Sequence, residues 1–245
     1  MDITPRLIFI VPYRDREQHQ KFFSKQMKYI LEDIPNYKIF YIHQKDQREF
    51  NRGAMKNIGF LVVKDLYPNN YKNINLIFND IDTMPFTKNF IDYFTKPNVV
   101  KHFYGFRNTL GGIVSIMAND FENINGFPNF WSWGYEDNEL QNRVIQHKIT
   151  IDRSQFYPIL DKNILMVTDG IHRIVNKDDF KHYTSKTNEG INSIKNLEYE
   201  INGDFVDVTQ FNTGREENKF TKSSYDLRKG NKIFSKKPTI NMNFH

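Results

Sequence analysis

Short apolar runs alternate with segments of helical periodicity in the first third of the chain. The run Leu7–Val11 is apolar throughout, as in a strand that is buried on both faces. In the segment that follows this run, apolar residues recur at helical spacing. The predicted order is a strand at 7–11, a helix at 17–34, a strand at 37–42, a helix at 52–66 and a strand at 75–78. This alternation predicts an α/β sheet, in which ligands bind beyond the carboxyl ends of the strands.

The second half of the chain is less regular. It predicts helices at 119–123 and 136–148, strand pieces at 113–117, 149–152 and 164–167, and short strands within 190–208. No domain boundary is visible before Gly214. We therefore expect one domain over residues 1–213 and a basic extension over 214–245. That extension contains eight Lys and Arg residues but only three acids, a composition that favours a solvated, partly mobile segment.

Composition narrows the class of protein. With 245 residues, 39% hydrophobic and 15% aromatic, the chain can bury a large core and is not disordered. It has no cysteine and no apolar run long enough to span a bilayer, so we expect a soluble, cytoplasmic protein without a membrane span. The net charge is +5, and basic and acidic residues are mixed along most of the chain. This favours a phosphate-bearing ligand over nucleic acid, for which only the basic extension would be a candidate.

Charged pairs follow two of the predicted strands. Arg14 and Arg16 come after the first strand, and Asp80 and Asp82 come after the third. Two arginines can bind diphosphate oxygens, and an Asp-x-Asp pair can hold a divalent cation that bridges the same oxygens. Each pair is also common on ordinary surfaces and in turns. No Walker loop or G-x-G-x-x-G fingerprint follows the first strand, which argues against a P-loop NTPase or a Rossmann dehydrogenase.

Both tryptophans of the chain stand directly before a group of carboxylates. Trp131 and Trp133 are followed by Gly134 and then by Glu136 and Asp137. One interpretation is a surface helix with an acidic first turn, which the helix dipole favours. The other is a sugar platform beside a general base, because an indole covers the apolar face of a pyranose and a carboxylate accepts a hydroxyl proton. The residues alone leave both open.

Several segments together resemble the β-1,4-galactosyltransferases, glycosyltransferase family 7. The stretch Val11-Pro-Tyr-Arg-Asp-Arg-Glu-Gln-His19 is similar to the family's VPFRNRxxHL, and Phe50-Asn-Arg-Gly-Ala-Met-Lys-Asn-Ile-Gly-Phe60 to its FNRAxxxNxGF. Further on, Phe78-Asn-Asp-Ile-Asp-Thr-Met-Pro85 resembles FxDxDxxP. The pair Gly111-Gly112, then Ile124-Asn-Gly-Phe-Pro-Asn129 and Trp131-Ser-Trp-Gly-Tyr-Glu-Asp137, follow the family's order and spacing. The resemblance covers roughly residues 7 to 200.

The resemblance implies a fold and a function. The fold would be GT-A, an α/β, Rossmann-like nucleotide-sugar transferase fold with a single mixed central sheet and helices on both faces. The function would be an inverting, metal-dependent transfer of a hexose from a UDP-sugar to a sugar hydroxyl of a glycan or glycoconjugate. Galactose is the first expectation, with N-acetylgalactosamine and glucose left open. The alternative is an inactive, transferase-like protein that binds a glycan.

The resemblance also implies roles for single residues. Asp137 would be the base, Glu136 would hold substrate hydroxyls and Trp133 would be the sugar platform. The metal, Mn²⁺ or Mg²⁺, would be held by Asp82 and His172, with Asp169 as a further candidate. The implied donor-binding residues are Pro12, Tyr13, Arg14, Arg16, Phe50, Arg52, Asp80 and Gly112.

Four positions depart from the family's pattern. Asp169 replaces a methionine found in many members, which would make the metal site richer in oxygen. Asn138 replaces the third acid after the tryptophans. Thr109 is small where relatives crowd the substituent on C2 of the donor sugar. Tyr135 stands where the family often has glycine, and we expect it to narrow the acceptor site.

Overall fold

The computed structural model describes residues 4–168, 170–185, 187–217 and 221–229. Its helices are α1 (Glu17–Ile30), α2 (Arg52–Leu66), α3 (Ala118–Asn123), α4 (Glu136–Gln146) and α5 (Lys177–Thr184). Its strands are β1 (Leu7–Tyr13), β2 (Tyr37–Gln44), β3 (Asn75–Asn79), β4 (Thr83–Pro85), β5 (Val99–Gly105), β6 (Ile113–Met117), β7 (Thr150–Asp152), β8 (Tyr157–Pro158), β9 (Ile164–Met166), β10 (His172–Asn176), β11 (Lys195–Asn202), β12 (Phe205–Asn212) and β13 (Lys222–Asp226). The predicted α/β alternation of the first third is confirmed. The first helix ends at Ile30, four residues earlier than predicted.

One mixed sheet forms the centre of the described part of the chain. Its strands lie in the order β11, β12, β2, β1, β3, β6, β5 and β7, and β8 pairs with β5. Strand β1 is parallel to β2 and β3, with Leu7 opposite Tyr37 and Asn75. Strand β6 is antiparallel to β3 and β5. The single mixed sheet that the resemblance implied is therefore confirmed.

Strand β1 is buried on both sides, and alternate residues point to opposite faces of the sheet. Leu7, Phe9 and Val11 pack with Phe23 and Met27 of α1. On the other face, Ile8 and Ile10 belong to the core that α2, α3 and α4 cover. Helices thus lie on both faces, as expected. The continuous apolar run of β1 follows from this burial on two sides.

Helix α2 positions the loop that leads to the tryptophans. The side chain of Asn51 accepts a hydrogen bond from the backbone N–H of Ala54 and so caps the helix. Its amide also donates to the carbonyl of Asn129 at 3.0 Å. Six residues later, Asn57 donates to the carbonyl of Phe127 and to the side chain of Asn129, both at 2.8 Å. These amides fix the Asn-Gly-Phe-Pro-Asn loop on the buried helix.

Part of the predicted C-terminal extension packs against the domain. Strand β13 pairs with β10, so that His172 lies opposite Asp226. Before it, the Arg215 carbonyl accepts a hydrogen bond from the Trp131 indole, and the Arg215 side chain pairs with the buried Asp179. The interpretation of a solvated segment is therefore wrong for Arg215 and strand β13, which partly buried ion pairs and backbone pairing hold against the domain, whereas Arg228 and Lys229 are exposed. Residues 230–245 lie outside the described residues, and the division at 213/214 stays a prediction.

Among the described residues, no helix combines the length and the apolar character that a bilayer crossing needs.

Candidate active site

A cavity of about 660 Å³ opens beyond the carboxyl end of β1. Six of the predicted site residues lie in its wall: Arg14, Arg16, Phe50, Arg52, Trp133 and His172. A smaller cavity shares five of them and adds Pro12, Asp80 and Asp82. Parallel strands end at the same edge of a sheet, which explains why motifs 60 or more residues apart in sequence meet here.

Of the described residues, four arginines line both cavities, beside three acids in the larger one and two in the smaller one. The Nη1 atom of Arg16 lies 3.3 Å from Oδ2 of Asp82. Burial, followed by the neighbouring Arg52, lowers the pKa of Arg16. Arg173 of β10 also lines both cavities, and burial lowers its pKa. Such a set of guanidinium groups suits the oxygens of a diphosphate. Sequence reasoning missed Arg173, because strand β10 was not predicted.

Arg14 and Tyr13 have structural contacts that the resemblance did not imply. The guanidinium of Arg14 donates to the carbonyls of Arg48 and Asp46, the latter at 2.7 Å, and so holds the loop after β2. Tyr13 is buried, and its ring packs edge-on against His43 and Phe205 at 4.9 and 5.4 Å. The structure therefore places the ring of Tyr13 in the core, whereas Arg14 remains in the cavity wall.

Asp82 and His172 offer two of the predicted metal ligands. Burial, and then the negative charge of Asp80, raise the pKa of Asp82. A cation would relieve this crowding, and a carboxylate with an imidazole is a donor set that Mn²⁺ accepts. His172 lies on the exposed side of β10, in the cavity wall. Asp169 lies outside the described residues, and those residues contain no group of three His, Asp or Glu able to hold a metal.

Asp137 occupies the second position of α4, where its carboxylate pairs with a buried lysine. Oδ1 of Asp137 lies 3.1 Å from Nζ of Lys56, and this Nζ lies 4.0 Å from Oδ1 of Asp80. Burial raises the pKa of Asp137 to about 7; Lys56 opposes this rise, and Glu136 and Asp80 add to it. The Asp137 side chain is 27% exposed. Neither Glu136 nor Asp137 lines the two cavities, so Lys56 is the link between Asp137 and Asp80.

Gly111 and Gly112 permit close packing around these carboxylates. A Cβ atom on Gly111 would lie 2.1 Å from Oδ2 of Asp137, so only glycine leaves room for the carboxylate. Gly112 has a φ of +74°, and its carbonyl accepts a hydrogen bond from the backbone N–H of Asp80. Gly112 therefore shapes the Asp80 loop through its backbone.

The tryptophan loop has an unusual backbone. Ser132, Gly134 and Tyr135 all have positive φ, between +71° and +115°. The N–H of Trp133 donates to the carbonyl of Ile174 in β10, which holds this half-buried indole over the cavity. Trp131 is buried and stacks on Phe211. The two indoles thus differ in environment, and only Trp133 is placed where a ligand could contact it.

Tyr135 takes a left-handed conformation at the start of α4, which explains why glycine suits this position. Its ring stacks on Tyr183 at 5.0 Å and contacts Phe180 at 5.1 Å. Both partners belong to α5, a helix that sequence reasoning did not find. These three rings therefore pack together beside the N-terminus of α4, and the narrowing of an acceptor site by Tyr135 stays a prediction.

Two family profiles match this chain. One, described as the N-terminal region of glycosyl transferase group 7, matches residues 3–93. The other, described as the N-terminal domain of galactosyltransferase, matches residues 95–167. Together they include β1, α2, the Asp-x-Asp pair and the tryptophan loop. The chain belongs to glycosyltransferase family 7.

Relatives in this family are β-1,4-galactosyltransferases. The β-1,4-galactosyltransferase 4 of Cricetulus griseus is 31% identical over 160 residues, covering 60% of this chain and 45% of the relative. The xylosylprotein 4-β-galactosyltransferase of Caenorhabditis elegans is 30% identical over 158 residues, covering 60% of this chain and 53% of the relative. The chain thus spans about half the length of these curated relatives.

Solved structures agree on the fold. The catalytic domain of Drosophila β-1,4-galactosyltransferase 7, in complex with xylobiose, superimposes with a TM-score of 0.65. The two sequences are 19% identical, and the match covers 84% of this chain and 94% of the Drosophila domain. A mutant of the same enzyme was solved in complex with manganese, UDP-Gal and xylobiose. The family 7 chain has the GT-A fold, as the resemblance implied.

Proposed function

We propose that this family 7 chain is an inverting, metal-dependent glycosyltransferase that moves a hexose, galactose first, from a UDP-sugar to a sugar hydroxyl. One observation carries the proposal. Arg16, Arg52, Asp80 and Asp82 meet in one cavity, and Asp80 is joined through Lys56 to the carboxylate of Asp137. Cations for a diphosphate, carboxylates for a metal and a base of raised pKa therefore lie side by side.

The donor would bind in the large cavity. Arg16 and Arg52, with Arg173 beside them, would contact the diphosphate, and Phe50 and Pro12 would line the nucleotide end. Asp80 would contact the donor sugar or ribose. Mn²⁺, or Mg²⁺ in its place, would be held by Asp82 and His172, with Asp169 as a further candidate. The cation supplies charge neutralisation for the departing UDP.

The acceptor would meet the donor beside α4. Inversion needs a base on the side opposite the leaving group, and Asp137 lies outside the two arginine-lined cavities, linked to Asp80 through Lys56. Its partly exposed carboxylate would accept the proton of the attacking hydroxyl, a role that typically contributes about 10²–10⁴-fold. Glu136 would hold hydroxyls, and Trp133 would carry the apolar face of a sugar ring.

The donor sugar and the acceptor are the finer parts of the proposal. Thr109 is small, so galactose, N-acetylgalactosamine and glucose are all candidates. Galactose comes first, because the curated relatives are named galactosyltransferases. The acceptor would be a glycan or glycoconjugate, since the Drosophila neighbour was solved with xylobiose. Nucleic acid is not proposed as a partner.

The test is release of UDP from UDP-galactose, UDP-N-acetylgalactosamine and UDP-glucose, with Mn²⁺ and with chelator, in the presence of sugar acceptors. We expect one donor to be consumed in a metal-dependent reaction. Asp137→Asn should keep binding of UDP and Mn²⁺ and lose most turnover. Equal turnover in Asp137→Asn would refute the assigned base. Glycan binding that needs neither UDP nor metal, without UDP release, would support the inactive glycan-binding protein instead.

A further inference from the structure

Lys56 is a buried cation that neither the sequence motifs nor the proposed donor site uses. It belongs to α2, and its side chain is 3% exposed. A charge that leaves water is costly unless it is paired, so a lysine at such a position must have partners. Its ammonium lies 3.1 Å from Asp137 and 4.0 Å from Asp80, and 4.5 Å from the centre of the Phe127 ring.

The backbone around Lys56 is held rigidly. The next residue, Asn57, donates its side-chain amide to the carbonyl of Phe127 and accepts from the Phe127 N–H at 2.9 Å. Phe127 in turn packs on Phe78, at the end of β3. The ammonium is therefore aimed at Asp137 from a fixed helix and not from a flexible surface chain.

The carboxylate of Asp137 is confined from both sides. Lys56 contacts Oδ1, and Oδ2 lies where a Cβ atom on residue 111 would stand, a space that Gly111 leaves open. The backbone carbonyl of Asp137 accepts a hydrogen bond from the N–H of Leu110 at 3.0 Å. A lysine and a glycine from distant parts of the chain thus limit where this carboxylate can lie.

We propose that Lys56 is a positioning residue of the transfer reaction, which holds Asp137 in place and keeps it ionised between two other acids. The inference rests on the proposed role of Asp137 as base. Lys56 also lies between Asp137 and Asp80, where its positive charge offsets the repulsion of the two carboxylates. Lys56 itself transfers no proton.

The charged groups around Asp137 give the direction of the effect. Lys56 faces it from α2, Glu136 from its own helix, and Asp80 from the end of β3. Burial and the two acids raise the pKa of Asp137, whereas Lys56 lowers it. Removal of the ammonium therefore leaves three effects that all favour the protonated acid, which cannot act as a base.

The first experiment compares pH profiles of turnover for the native chain and Lys56→Met, which keeps length and removes charge. We expect the ascending limb of kcat to move upward by about one pH unit or more, with at least about fivefold lower turnover near pH 7 and about tenfold lower turnover well below it. The affinity for UDP with Mn²⁺ should change little. An unmoved limb in a folded Lys56→Met protein, or an equal loss at every pH, would overturn the proposal.

A second variant tests whether a restored positive charge at position 56 restores the native pH profile. The chain has no cysteine, so K56C can be alkylated with 2-bromoethylamine at this one site, before refolding if the buried thiol requires it. The product carries an ammonium on a side chain close to lysine in length. We expect the alkylated K56C protein to regain the native limb, and unmodified K56C to behave as Lys56→Met does. Failure of the folded, alkylated protein to regain the limb would count against the proposal.

A readout without turnover separates this inference from the proposed function. The carboxyl carbon of Asp137 can be followed by NMR in a chain labelled with ¹³C-aspartate, with Asp137→Asn identifying the signal. Its titration midpoint should rise in Lys56→Met. If the midpoint rises but no UDP-sugar is consumed, the proposed function is refuted, whereas the effect of Lys56 on the ionisation of Asp137 is supported. An unchanged midpoint overturns the inference whatever the activity.

Discussion

Gly111 lies so close to Asp137 that one added methyl group should displace the proposed base. A Cβ atom there would lie 2.1 Å from Oδ2 and 2.7 Å from the carboxyl carbon of Asp137. Carbon contacts begin at about 3.5 Å, so the carboxylate must retreat by roughly 1 Å or more. Gly111 is not among the glycines with positive φ, so alanine adds no left-handed strain. A misplacement of this size can cost about 10²-fold in turnover.

The assay is a cycle of Gly111→Ala, Asp137→Asn and the double variant. We expect Gly111→Ala to lower kcat about 10²-fold, with the affinity for UDP and Mn²⁺ nearly unchanged. Overpacking should cost about 1–3 kcal/mol of stability, which urea unfolding measures. Because the methyl group acts through Asp137, adding it to Asp137→Asn should lower the remaining turnover very little.

Two results would refute this reasoning. If Gly111→Ala and Asp137→Asn lower kcat independently, so that their effects multiply, the methyl group acts on something other than the base. If Gly111→Ala keeps the native kcat, the carboxylate has room that the structure does not show. A lower affinity for UDP with native turnover would assign Gly111 to the donor site instead.

Three further results are expected. Turnover of the native chain should fall as pH drops through about 7, because Asp137 must be ionised to accept a proton and burial raises its pKa to about that value; an activity plateau down to about pH 5 would contradict this. Asp82→Asn should weaken Mn²⁺ binding, measured by electron paramagnetic resonance, and equal affinity would exclude Asp82 as a ligand. Arg215→Met should lower the free energy of unfolding by about 1.4 kcal/mol near pH 8, because Asp179 without its cation takes up a proton about one pH unit above its native pKa. Burial raises the pKa of Asp179 to about 7, above its unfolded value, so its ionisation lowers stability as the pH rises from about 4 to about 7. Near pH 5 the folded protein keeps this carboxyl protonated and needs no cation beside it, so the loss caused by Arg215→Met should shrink there. An equal loss at both pH values would contradict the assigned cause.

Much of the fold could be predicted because its signals are local. The apolar run of β1 and the spacing of α2 are properties of short segments, and α2 was predicted with its observed ends, Arg52 and Leu66. Strand β10 and helix α5 were missed, because His172–Thr184 is polar and owes its burial to contacts with distant segments. Trp133 holds β10 through its backbone N–H, and Tyr135 stacks on α5.

The sequence likewise predicted only part of the candidate site. The chain's motifs identified Arg16, Asp80 and Asp82, and the cavity brings them together. They did not indicate the buried contacts of Tyr13 or the loop carbonyls that Arg14 binds. Whether a side chain points towards a cavity or into the core depends on residues that are distant in sequence. A local motif does not identify those residues.

By itself, the sequence determined the order of strands and helices in the first third of the chain, the family, and the types of residue available for a diphosphate, a metal and a base. The tertiary structure alone decided which of them meet. Lys56 and Asp137 are 81 residues apart, yet their atoms lie 3.1 Å apart because α2 and α4 cover the same face of the sheet. Strand β13 supports β10 from within a segment whose charge predicted a solvated extension. Hydrophobic periodicity is a property of residues that are close in sequence. Contacts between distant residues depend on packing and on the pairing of buried charges.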